Sequence, residues 1–220
     1  MVEIQFLIRK SFHWHNVWKL FFSKSIIMKR ITMLVMGAVT SLFFMGVNGQ
    51  TTLGVKGGVS IADVSDNGYK PRVGFHAGVY ANRMFNKHFA FQPEVLFSGE
   101  GQKYTYNNLE HTWVLNYIQI PLMLQVYPIK ELYLEAGPQV GLLVSARDKI
   151  TGQNNKPDIK ANFATAQFSI ATGIGFRLVD RASIYGRYSF GLTDIMSYDP
   201  TIIQHSNVAQ IGVAIRFKTL

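Results

Sequence analysis

The sequence predicts an all-β fold: an antiparallel, up-and-down transmembrane β-barrel of about eight strands, preceded by a signal peptide. Three observations lead there. From Thr52 to Phe217 the chain repeats runs of about ten residues that alternate apolar with polar or glycine, as strands with one face in lipid and one in a lumen must. The connections between these runs are by turns short and long, which suits short periplasmic turns and longer outer loops. Aromatic residues make up 13% of the 220 residues, with ten Tyr and sixteen Phe, while charged residues make up only 16%.

Each run assigns its own faces. Leu53, Val55, Val59 and Ile61 oppose Gly54, Lys56, Gly58 and Ser60 in the first; Val73, Phe75, Ala77, Val79 and Ala81 oppose Arg72, Gly74, His76, Gly78 and Tyr80 in the second. The third sets Phe89, Phe91, Val95 and Phe97 against Gln92, Glu94 and Ser98. In the fourth, Ile118, Ile120, Leu122, Leu124 and Val126 oppose Tyr117, Gln119, Met123 and Gln125. The fifth sets Leu132, Leu134, Val140, Leu142 and Val144 against Tyr133, Glu135, Gln139 and Gly141. Phe168, Ile170, Ile174, Phe176 and Leu178 then oppose Gln167, Ser169, Gly173, Gly175 and Arg177. The last two runs oppose Ile184, Tyr188, Phe190 and Leu192 to Ser183, Tyr185, Arg187 and Gly191, and Ile211, Val213, Ile215 and Phe217 to Gln210, Gly212 and Arg216.

The stretches 82–87, 128–131 and 179–181 read as short turns, and 62–70, 99–111, 146–162 and 194–206 as long polar outer loops. Pro93, Pro121 and Pro138 fall inside strands, where each removes a ladder donor, so local distortion is expected at all three. Lys218-Thr219-Leu220 follow Phe217, where barrels of this kind often end on an aromatic residue.

The apolar set is aliphatic or aromatic on every strand, as a lipid-facing band requires. The other set brings together Lys56, His76, Glu94, Glu135, Arg177, Arg187 and Arg216 with glutamines and many glycines, the composition of a narrow, filled, polar interior. This is the candidate lumen cluster. Its charges are expected to pair, since an unpaired buried charge costs several kcal/mol. A soluble eight-stranded barrel that carries a ligand would turn its apolar face inward and would have no use for this set.

The N-terminal fifty residues read as targeting sequence rather than fold. Residues 28–50 form a signal peptide: Met28-Lys29-Arg30 is a basic start, Ile31 to Met45 an apolar core too short for the roughly 20 residues of a spanning helix, and Gly46 to Gln50 the cleavage region. Residues 1–27 are then an upstream extension from a mis-called start, and 51–220 the barrel domain, exported to the outer membrane. The net charge of +9 is concentrated at that end: residues 1–27 hold four bases against one acid, 28–50 two bases, and 51–220 sixteen bases against twelve acids. A nucleic-acid partner is not expected.

The absence of cysteine excludes disulfides, thiolate chemistry and an N-terminal lipid anchor. No metal-ligand spacing and no phosphate-binding glycine loop is present, so no metal or cofactor is expected. His205 and Ser206 with Asp194 or Asp199, and His111 with Glu110, are residue types that catalysis uses, but on polar loops they read as solvated surface; the chain is not expected to be an enzyme.

Five segments in order carry a resemblance: Gly54-Val55-Lys56-Gly57-Gly58, Gly74-Phe75-His76-Ala77-Gly78-Val79, Phe91-Gln92-Pro93-Glu94-Val95-Leu96-Phe97-Ser98, Leu115-Asn116-Tyr117-Ile118-Gln119-Ile120-Pro121-Leu122 and Leu134-Glu135-Ala136-Gly137-Pro138-Gln139. Together they resemble the PorT-like outer-membrane β-barrel family of Bacteroidota over nearly all of residues 51–217. The resemblance implies an outer-membrane barrel and, through PorT itself, a link to type IX secretion. The function expected is a structural or surface-interaction role through the outer loops, with a secretion accessory or narrow pore as the alternative and loop-based catalysis as a further one. The expected partners are outer-membrane lipid and an extracellular ligand or a protein of the secretion machinery, and the expected state is a monomer.

Overall fold

A computed structural model describes residues 51–64, 70–152, 156–194 and 205–219. Residues 1–50, where a signal peptide and an upstream extension are expected, lie outside the described residues. Eight strands follow in order: β1 (Thr51–Val64), β2 (Lys70–Met84), β3 (Phe89–Tyr106), β4 (Leu109–Val126), β5 (Leu132–Ile150), β6 (Ala166–Val179), β7 (Ala182–Gly191) and β8 (Ser206–Thr219). Each pairs antiparallel with its sequence neighbours, and β1 pairs with β8 from Thr52·Thr219 to Val64·Ser206, so the sheet is a closed barrel without an edge. Closure satisfies every strand's ladder from within, the condition for placing a sheet in lipid.

The faces follow the period-two reading. Outward positions such as Phe75, Leu124 and Ile211 are 60%, 60% and 67% exposed, whereas Lys56, Gln119, Glu135 and Arg187 face the lumen and are buried. Glycine is what makes room for them. Lys56 lies across from Gly78, His76 from Gly58, Tyr80 from Gly54, Tyr133 from Gly175, and Gly173 sits between Glu135 and Arg187. A Cβ on Gly175 would overlap the Tyr133 ring, so that ring can lie flat only over a residue without one.

Two expectations need correction. The stretch 99–111 is not a loop: β3 and β4 stay paired from Gly99·Asn116 to Tyr106·Leu109 and turn on Asn107 and Asn108 alone. Both asparagines have positive φ, 49° and 60°, as a two-residue hairpin turn of this hand requires, and Asn tolerates that region well. Polar residues beyond the lipid show only that water replaces lipid around the strand; they do not show that the backbone is unpaired. Likewise β1 runs on through Ala62 to Val64 and β5 through Ala146 to Ile150, so the outer connections between the strands are 65–69, 107–108, 151–165 and 192–205.

The prolines distort less than expected. The register is unchanged across each, and the cost is two missing rungs on one side: between Tyr80·Glu94 and Arg83·Phe91 at Pro93, between Pro93·Leu122 and Leu96·Gln119 at Pro121, and between Pro121·Gln139 and Leu124·Ala136 at Pro138. The true irregularities lie elsewhere. One falls where Asn116·Ser145 gives way to Tyr117·Leu143, leaving Val144 as the extra residue of β5.

Candidate functional site

Both described chain ends, Thr51 and Thr219, and the turns 85–88, 127–131 and 180–181 share one end of the barrel, which by the rule of its class is the periplasmic one. The lumen above it divides into two layers.

The lower layer is a brace of charges. Arg187 on β7 grips Glu94 on β3 with two parallel bonds, Nη1 to Oε2 and Nη2 to Oε1, both 2.8 Å, and donates from Nε to Glu135 Oε1 on β5 at 2.8 Å. Lys56 on β1 donates to Glu94 Oε1 at 3.0 Å, and its ammonium sits 4.0 Å from the centre of the Tyr185 ring. Two cations thus meet two carboxylates, drawn from β1, β3, β5 and β7. Those strands stand a quarter-turn apart, so the brace crosses the lumen in both directions.

Neutral groups complete the acceptors. Gln92 donates to Glu94 at 2.8 Å and Gln125 to Glu135 at 2.9 Å; Asn82 joins the two glutamines at 3.0 and 2.7 Å, and the Tyr127 hydroxyl donates to Gln125 at 2.7 Å. His76 bonds the Tyr185 hydroxyl through Nε2 at 2.5 Å and Ser60 through Nδ1 at 3.0 Å. Both ring nitrogens of His76 are spent on neighbours, which suits a lumen hydrogen-bonder rather than a ligand site.

The upper layer is built differently. Glu100 on β3 is buried and accepts from Gln119 Nε2 on β4, from Gln167 Nε2 on β6 at 3.3 Å and from Ser206 Oγ on β8 at 3.3 Å. Its donors are amides and a hydroxyl; Arg72 approaches, but donates to the Glu100 backbone carbonyl at 2.7 Å. Around it, both amide atoms of Gln102 and Gln210 and the hydroxyls of Ser169 and Ser189 are buried without a protein partner.

Of the seven residues read as a lumen cluster, the structure brings Lys56, Glu94, Glu135 and Arg187 into the brace and sets His76 beside it. Arg177 and Arg216 share the lumen-facing side but are only half-buried, near the periplasmic rim; the Arg177 guanidinium lies 5.8 Å from the Tyr127 ring centre. Sequence reading missed Glu100, because it fell in a stretch taken as loop. The signal was present: Gln92, Glu94, Ser98, Glu100 and Gln102 continue one period-two face.

At the outer rim Tyr104 stacks on His111 with centroids 4.9 Å apart, and Trp113 meets Tyr104 and Phe163 edge-on at 5.2 Å each. His111 Nδ1 bonds Asp148 Oδ2 at 2.8 Å, while Glu110, its sequence neighbour, lies 3.4 Å from Lys103. Ser206 points into the lumen toward Glu100, and His205 bonds the Thr193 carbonyl at 3.4 Å. Asp199 lies outside the described residues.

Residues 48–197 match the family model described as outer membrane protein beta-barrel domain. The chain belongs to that family. No match is found among the curated proteins. Solved structures similar to this outer-membrane barrel include Ail, the attachment invasion locus protein of Yersinia pestis in complex with a heparin analogue, with 15% identity over 78% of this chain and 100% of that one and a TM-score of 0.48. Neisserial surface protein A shows 12% identity over 76% and 97%, with a TM-score of 0.49. OprG of Pseudomonas aeruginosa shows 13% identity over 77% and 97%, with a TM-score of 0.43. The barrel is an outer-membrane protein.

Proposed function

We propose that this outer-membrane barrel is a closed, monomeric structural protein that acts through its outer surface and not through its lumen. One observation carries the reading: Arg187, Glu94, Glu135 and Lys56 span the barrel in both directions with all four side chains buried. A conducting lumen would have to break a bidentate Arg–carboxylate pair held in low dielectric. What remains for interaction is the aromatic rim of the β3–β4 hairpin and the connections 151–165 and 192–205, with an extracellular ligand as the partner. Catalysis forms no part of the proposal, because Ser206 and His205 are engaged with Glu100 and Thr193 rather than with each other.

Reconstitution in planar bilayers tests it. The protein is expected to show no single-channel conductance, while the Glu94→Ala/Arg187→Ala double variant, if it inserts, conducts. Steady conductance by the unaltered protein would remove the closed-lumen reading. Shortening 151–165 should abolish any surface phenotype and leave insertion intact.

A second reading rests on the ordered resemblance of five strand segments to PorT-like barrels: an accessory of type IX secretion, with machinery protein as its partner. It predicts that loss of the protein traps exported cargo in the periplasm. Normal export in a deletion strain would dispose of it.

A further inference from the structure

The outward face of β4 and β5 changes character over one step. Below lie Ile118 and Ile120 on β4 and Leu142 and Val144 on β5, all in the lipid-facing band. Immediately above, Asn116 Nδ2 donates to Ser145 Oγ at 2.9 Å, beside the bulge that turns both Val144 and Ser145 outward. That pair floors a hollow of about 300 Å3 lined by Val114, Asn116, Ser145, Arg147, Lys149 and Lys156.

Its lining residues include three cations and no acid. Residues 157–159 run back along β5, with a backbone β-bridge between Arg147 and Asp158 and the Asp148 amide donating to the Pro157 carbonyl at 3.1 Å. Lys149 and Lys156 line the same hollow as Arg147, so three like charges share one recess, an arrangement that an anion would relieve. One acid, Asp158, lies across from Arg147, and the others point elsewhere. Asp158 accepts from the Lys160 amide at 2.8 Å, Glu110 lies 3.4 Å from Lys103, and Asp148 faces the other way, onto His111.

We propose that this hollow binds the phosphate-bearing headgroup of an outer-leaflet glycolipid. Height selects the lipid. A molecule whose acyl chains lie along Ile118, Ile120, Leu142 and Val144 carries its headgroup to the level of Asn116 and Ser145, where three cations and two neutral donors wait. Anchoring by the chains also overcomes the weak capture expected of exposed lysines for a free anion.

The test uses the protein in neutral detergent and three probes: bisphosphorylated lipid A, its dephosphorylated form and inorganic phosphate, with binding read by native mass spectrometry. The phosphorylated lipid should be held at least about tenfold more tightly than the dephosphorylated one, and the Arg147→Gln/Lys149→Gln/Lys156→Gln variant should lose that preference while keeping the heat-modifiable mobility of a closed barrel. Equal retention of both lipids by the unaltered protein would overturn the proposal whether or not the variant folds. Inorganic phosphate bound as tightly as the lipid would overturn it in favour of a soluble anion.

Discussion

The two layers of the lumen solve the same problem in opposite ways. Near the periplasmic end, two acids and two bases neutralise one another, and nearly every remaining acceptor is occupied by a glutamine, asparagine or tyrosine. Nearer the outer end Glu100 is held by neutral donors, and the surrounding Gln102 and Gln210 amides have no protein partner. A brace of that first kind is rigid because removing any member strands the others. The second kind tolerates loss, since it is held by neutral donors whose bonds are individually weak. The cross-lumen ion pairs therefore belong to the lower layer, and the neutral bonds to the upper.

The sharpest way to break this comparison is Arg187→Ala. It leaves Glu94 and Glu135 facing each other without their shared cation, and should cost about 3–5 kcal/mol, read as an earlier midpoint of urea unfolding in vesicles and loss of the heat-resistant band. An unchanged midpoint would mean that the brace is not what holds the lumen.

Next in size is the face test. Ile120→Arg puts a charge into the lipid band and should cost about 2–4 kcal/mol near the midplane. Gln119→Arg, one residue away, turns the same charge toward Glu100 and should cost much less in the same unfolding assay. Equal losses at the two positions would refute the assignment of faces.

Glu100→Gln sharpens the contrast with Arg187. Because no cation is left behind, stability should change by only about 1 kcal/mol, within the range of one neutral hydrogen bond. Smallest of all is Gln102→Met, which removes two unpartnered buried polar atoms at nearly constant volume and should leave the midpoint unchanged or slightly raised. A loss as large as that of Arg187→Ala from either upper-layer change would make the two layers one.

Much of this was legible beforehand, and the exceptions are instructive. Which residues face lipid was readable throughout, because alternation in a strand is a property of the local backbone. Where the strands stop was not: the polarity of 99–111 marks the edge of the bilayer, while the turn itself is marked only by Asn107-Asn108. Glu100 was hidden by the same misreading. Arg177 and Arg216 looked equivalent to Arg187, since all three occupy the polar face; nothing in their local sequence tells rim from centre.

By itself, then, the sequence determined the class of barrel, its membrane and the face of every strand. Only the tertiary structure decided which charges meet. Glu94 and Arg187 are 93 residues apart and face each other because the sheet closes on itself with a particular strand stagger, and that closure is a global constraint no single strand encodes.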